Sequence, residues 1–510
     1  MDNSYNNAGY LCTIPLTDAR QSVEIGADYT LPDYLPEIRR LLGAHSCVRP
    51  RSQFSSNGSL TLDGNVTHKI LYLGADGLMW SATLTDKYEC SFPLSFDSHC
   101  ASDQLSINTF CDCEHTDARV IGPRKLNVRA KLACSALVLA DAMYYPEMKD
   151  AHTESELQTK VDECRYGVIV SATGEEQTLS DFINIDTPAD DLRVIDAYVG
   201  FAMGECFCTD GSTVVRGDAV LRILYCNDNE SEIPLTLTKK LPISCEIPCE
   251  GVDSGFECTA HAYFDDEHFE ITENGISVTL SVFFKTVAQK NQVANIITDA
   301  YSTERRSECN NGKLNTLSAV KCTFGALTKN DVFSLSETKL PTDSRIIDVM
   351  TNPTVEECSV TDGKALIKGT CEYTVIFHSG GEYMSAVLSA PYKYEIDHRG
   401  KADSAASINC RATVRATSSR GRCDTERLLI DCELAFNAMC TAEMEHEYLE
   451  SVSFLEPLEV GGEQMVLCFP ERGATLWSIA KRYSKPAEQI KEQNSLGESS
   501  DISKKRFLIV

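Results

Sequence analysis

The chain has 510 residues, a formal charge of −28 and a hydrophobic fraction of 43%. That length calls for several domains. The apolar content excludes a disordered chain, and the negative charge excludes nucleic acid as the main partner.

The start, Met1-Asp2-Asn3-Ser4-Tyr5, has no basic region and no apolar segment, so no secretory signal is expected. No run of about 18 apolar residues follows, so no transmembrane helix is expected. The 23 cysteines are therefore expected in a reducing compartment, as small buried hydrophobes. Cys111-x-Cys113 and Cys206-x-Cys208 put two thiols on one face of a strand, without the further ligands a metal needs.

Leu31-Pro32-Asp33-Tyr34-Leu35-Pro36-Glu37, followed by Ile38 to Leu42, reads as a turn opening a short helix. Related segments begin at Ile185 and Leu340. Their acids shift place between copies, which suits turn and cap chemistry better than catalysis. Next come Gly58, Gly211 and Gly363, each followed six residues later by Gly64, Gly217 and Gly369. Ile70-Leu71-Tyr72, Ile223-Leu224-Tyr225 and Val375-Ile376-Phe377 lie six residues further on. The period is 153 residues, then 152, which marks an internal repeat.

Apolar residues alternate through each copy, as in Leu60, Leu62, Val66, Ile70 and Tyr72. Period two predicts a strand with one buried face. The mid-strand glycine predicts a bend or a close backbone approach. His68 falls on the buried face, where Leu221 and Tyr373 stand in the other copies. It reads as a satisfied core histidine. A second alternating strand recurs at Leu126–Cys134, Ile276–Phe284 and Leu428–Phe436. Turn-rich segments such as Cys226-Asn227-Asp228-Asn229 and Ser379-Gly380-Gly381 separate the strands. The pattern predicts antiparallel β domains of sandwich or open-barrel form. The acidic stretch between His261 and His268 reads as a solvated loop. Lys149–Lys160, Thr303–Lys313 and Pro457–Gln464 read as polar linkers, the last giving the final module some freedom.

At the end of the chain, Met465 to Phe469 is a short apolar run of strand type. Arg472-Gly473-Ala474 is a turn, and Thr475 is placed to cap a helix. Leu476, Ile479, Ala480 and Tyr483 share one helical face. Pro486 opens a second helix over Ala487–Asn494, and Leu508-Ile509-Val510 forms a closing strand. Residues 464–510 carry eight Lys/Arg and five Asp/Glu, a basic tip on an acidic body.

Gly473-Ala474-Thr475-Leu476-Trp477-Ser478-Ile479-Ala480, then Ile490 and Asn494, resembles the LysM module. Ala474 stands where that family usually has Asp, and Lys505-Arg506 where it has a Gly-Gln-like turn. The Leu-Pro-rich preface, the Gly-x5-Gly strand and the tandem order resemble the SPOCS domain family of bacterial endospore formation. Together these imply three tandem antiparallel β-sandwich or barrel-like repeats, at 1–150, 151–302 and 303–456, and a small α+β LysM domain of βααβ order at 464–510. The resemblance implies a non-catalytic adaptor of spore coat assembly. It would act in the mother-cell cytoplasm at the forespore surface, binding a SpoIVA-like coat ATPase scaffold through its LysM module. The alternative it implies is binding of peptidoglycan or a lipid-linked cell-wall precursor. The contact residues expected for either are Arg472, Gly473, Ala474, Thr475 and Leu476, with Asn494, Ser495, Leu496 and Gly497 opposite. Trp477 reads as packing more than as a sugar platform.

No phosphate loop, Gly-x-Ser-x-Gly elbow or His-Glu-x-x-His motif is present. No catalytic residue, cofactor or metal is expected.

Overall fold

A computed structural model describes residues 10–510 except 57, 97–99, 145–146, 150–156, 186–191, 228–230, 274, 339, 362, 398–406, 459–464, 497–501 and 503–505. The alternating segments become long antiparallel strands, and the fold is mainly β. The first six are β1 (Tyr10–Thr30), β2 (Ile38–Ser56), β3 (Ser59–Gly74), β4 (Met79–Pro93), β5 (Cys100–Gly122) and β6 (Lys125–Tyr144). They form two sheets, β2-β3-β4 and β1-β6-β5. After β7 (Glu147–Lys149) come β8 (Leu157–Asn184), β9 (Leu192–Thr209), β10 (Ser212–Asn227), β11 (Ser231–Pro248), β12 (Glu257–Thr272) and β13 (Gly275–Ser302). These form β9-β10-β11 and β8-β13-β12.

The third set is β14 (Arg305–Ser334), the short helix α1 (Leu335–Thr338), β15 (Arg345–Thr361), β16 (Lys364–Ser379), β17 (Glu382–Asp397), β18 (Ser407–Cys423) and β19 (Arg427–Pro457). Its sheets are β15-β16-β17 and β14-β19-β18, with β7 adding to β19 in parallel. The same order of strands thus occurs three times. In each set the two sheets face each other over a shared core, and none closes into a barrel. The edge pairs β2 and β5, β9 and β12, and β15 and β18 approach one another.

The buried parity is the one the sequence indicates. Leu60, Val66, Ile70 and Tyr72 on β3 are fully buried, as are Leu221 and Ile223 on β10 and Tyr373 and Val375 on β16. Each such side chain contributes about 1.5–3 kcal/mol by leaving water. His68 is also fully buried. Its Nδ1 lies 2.6 Å from Ser46 Oγ and its Nε2 3.4 Å from Asp86 Oδ2. It is a satisfied core histidine.

The paired glycines have two distinct jobs. Gly58, Gly211 and Gly363 begin their strands with φ of +77°, +86° and +73°, which favours glycine. Gly64, Gly217 and Gly369 sit where the neighbouring strand comes close. A Cβ there would collide with the carbonyl oxygen of Arg49, Ala202 or Thr354, and with the ring of Tyr88, Phe201 or Tyr392. The ladder between the two strands is irregular at or within one residue of each of these positions.

Four expectations change. The prefaces do not lead into helices. Ile38 N–H donates to Pro123 O and begins β2, and Arg345 begins β15. Their Ile/Leu residues are drawn into the sheets, because a β-branched run beside an existing edge is satisfied by ladder hydrogen bonds. Of the second preface, 186–191 lies outside the described residues. The expected linker at Thr303–Lys313 is a turn followed by β14. There Arg306, Glu308 and Asn310 point to solvent from a strand paired with β19. For Lys149–Lys160 only the ends are described, and Leu157 already belongs to β8. The acidic stretch after His261 lies in β12, not in a loop. Glu267 there meets Lys69 Nζ at 2.9 Å and Arg49 Nη2 at 3.4 Å.

The three sets also pack on one another. Leu71, Leu224 and Ile376, one from each central strand, are buried in a common cluster with Leu42, Ile195 and Ile347. A second shared cluster joins Leu137 and Leu139 to Leu317.

Candidate functional site

The carboxy-terminal module is built on very little regular structure. Its elements are β20 (Leu467–Cys468), α2 (Leu476–Tyr483), α3 (Ala487–Gln493) and β21 (Leu508–Ile509). β20 and β21 pair antiparallel, and Val510 N–H donates to Val466 O. Thr475 and Ser478 form a reciprocal cap at the start of α2. Thr475 Oγ1 accepts from Ser478 N–H at 3.1 Å, and Ser478 Oγ accepts from Thr475 N–H at 3.0 Å. This satisfies two amides that no helical turn can reach. Ser484 ends α2 in the left-handed region.

Leu476, Ile479, Ala480, Ile490 and Leu508 make the module's core with Cys468. Asn494 fastens that core. Its Nδ2 donates to Ile490 O at 2.8 Å and Ile509 O at 2.7 Å, and its Oδ1 accepts from Ile509 N–H at 2.7 Å. One amide side chain thus ties the end of α3 to β21.

Of the expected contact residues, Arg472, Gly473, Thr475 and Ser495 are exposed. Gly473 has φ of +89° and open space around it. Leu476 is 5% exposed and packs inward. Ala474 and Leu496 are half-buried against the same core, so the two loops converge on it. Asn494 is occupied by its backbone partners. Gly497 lies outside the described residues.

The module does not hang free. Tyr301, near the end of β13, is part of its core cluster. The Tyr301 ring meets Trp477 edge-on at 4.9 Å, and its hydroxyl donates to Lys485 O at 2.8 Å. Trp477 Nε1 donates to Asp299 Oδ2 at 2.8 Å, and Lys481 Nζ pairs with Asp299 Oδ1. Burial raises the Asp299 carboxyl, but the hydrogen bonds from Lys481 and Trp477 outweigh it and hold it below the usual range. Trp477 therefore packs, as its sequence context suggested. Of the expected linker Pro457–Gln464, 459–464 lies outside the described residues, but the module itself is held to the body by an ion pair, a ring contact and two hydrogen bonds.

The open surface of the module lies elsewhere. Met465, Val466, Leu467 and Phe469 are all exposed on the β20 side, Met465 most at 76%, and the Phe507 ring lies 6.4 Å from that of Phe469. Exposed Arg506 stands next to Phe507. The short apolar run from Met465 to Phe469 was the available signal. Among the described residues, no group of His, Cys, Asp or Glu is placed to hold a metal. Comparison with protein-family models, with curated proteins and with solved structures gives no match.

Proposed function

We propose that this chain is a non-catalytic adaptor that docks through its terminal module, of LysM type, onto a protein scaffold. The triple recurrence of one strand order supports reading residues 1–150, 151–302 and 303–456 as copies of a SPOCS-like unit. The helix cap, the two helices and the β20–β21 pair support the LysM reading of 464–510. On that reading the architecture resembles SipL, and the partner is a SpoIVA-like coat ATPase at the forespore surface in the mother-cell cytoplasm.

One observation carries the docking claim. The Trp477 face of α2 is used up against Asp299 and Tyr301. The β20 face, with Met465, Leu467, Phe469 and Phe507, is left open beside Arg506. The exposed apolar run Met465, Val466, Leu467 and Phe469 forms a ridge that a protein groove can bury. The basic tip of the module favours a partner with an acidic rim. A glycan is the weaker reading, because sugar recognition needs an aromatic platform with hydrogen-bonding neighbours, and Trp477 is occupied by the body.

A pull-down of the polymerised scaffold ATPase with the full chain, and with the chain ended at Gln464, tests this. Retention by the full chain alone is expected. Equal retention by both sinks the assignment to the module. Sedimentation with purified peptidoglycan is expected to leave the full chain in solution.

A further inference from the structure

Where the three strand sets meet they line a partly open cavity of about 180 Å³. Its wall takes residues from β2, β5, β9, β10, β11, β12, β15, β16 and β18.

Most charges in and around this cavity are already matched. Glu267 is held by Lys69 and Arg49. Asp348, just behind the wall, is held by Arg222 at 3.0 Å. Glu372 lies 4.0 Å from His115, and its side chain is 40% exposed. Arg415 is different. It is half-buried, with 26% of its side-chain surface open, and it lines the cavity. Its Nε lies 3.8 Å from Asp112 Oδ2, beyond hydrogen-bond range. Among the described residues its Nη1 and Nη2 atoms have no hydrogen-bond partner. Tyr198, also half-buried, lines the same cavity, and its hydroxyl has no hydrogen-bond partner among the described residues either. Its ring is fixed edge-on against His45 at 5.3 Å. Both donors are half-buried and face the cavity, so water can reach them there and a ligand that displaces it can accept from them.

We propose that this cavity is a binding site for a small monocarboxylic acid, with the carboxylate on the Nη edge of Arg415 and the Tyr198 hydroxyl. Asp112 sits on the Nε side of the guanidinium, which leaves the opposite edge, the fork that matches two carboxylate oxygens. Asp112 and Glu372 on the same wall disfavour a second negative charge, so a dianion such as phosphate fits poorly. Val199, Val220, Val349, Met350 and Val414 line the cavity and suit a short apolar tail. The site is independent of the terminal module and of its docking role.

The full chain is titrated with sodium n-alkanoates of two to eight carbons and with benzoate, at constant ionic strength, following heat of binding and thermal midpoint. n-Alkylamines and inorganic phosphate serve as the contrasting arms. Saturable binding with an optimum tail length is expected for the acids alone. Arg415→Gln is expected to weaken the best acid at least tenfold, and Tyr198→Phe severalfold. Equal binding by wild type and both variants, an equal response to phosphate or amines, or no saturable binding at all would each overturn the site. If Arg415→Gln does not fold, Tyr198→Phe and the dependence on tail length decide the matter.

Discussion

Leu476 and Arg472 stand four residues apart and answer to different physics. Leu476 fills the module's core, so Leu476→Ala is expected to cost on the order of 2–5 kcal/mol. It should appear as loss of helical circular dichroism. Arg472 is exposed on a turn, so Arg472→Glu should keep the spectrum of the wild type and weaken retention on the scaffold partner. An unfolded Arg472→Glu would show that the turn is misplaced. Asn494 belongs with Leu476: its three hydrogen bonds to backbone make it a fastener. The cysteines also behave as core atoms. Cys371 is buried, and burial pushes its thiol up to about 12, which leaves little nucleophilic thiolate.

At the scale of elements, α2 is held against β13 by Asp299. Its folded carboxyl lies below the ordinary value of about 3.9. A depressed acid contributes stability above its unfolded pKa and loses it as pH falls through the folded value. The module is therefore expected to stay docked at neutral pH and to release in acid below about pH 4. Emission from Trp477, read in a Trp80→Phe background, is the probe. A red shift on acidification is expected in that protein. In Asp299→Asn the emission should be shifted already at neutral pH and change little below it. An emission maximum independent of pH in both proteins would exclude Asp299 as the clamp.

The whole molecule is one packed body rather than three beads. Leu71, Leu224 and Ile376 come from strands about 150 residues apart and share one buried cluster. Removing one of them leaves a void that all three sets border. Ile376→Ala is expected to cost on the order of 2–5 kcal/mol, and to lower amide protection in β3 and β10 as well as in β16. Hydrogen exchange that changes in β16 alone would show that the sets unfold independently.

The sequence by itself determined which residues alternate, where the glycines interrupt them, and the order of elements in the terminal module. Those features are local: a period of two or 3.6 is written in neighbouring side chains, and Gly58, Gly211 and Gly363 mark turns wherever they occur. It also placed His68 and Trp477 correctly in packing roles. Only the tertiary structure decided that the Leu/Ile-rich prefaces become strands, that Arg305–Lys313 pairs with the far end of β19, and that the module is clamped by Asp299. Each depends on a partner roughly 80 to 180 residues away. The open Arg415 in the central cavity was equally illegible. A single arginine in an alternating strand looks like any solvated side chain until strands from distant parts of the chain close around it.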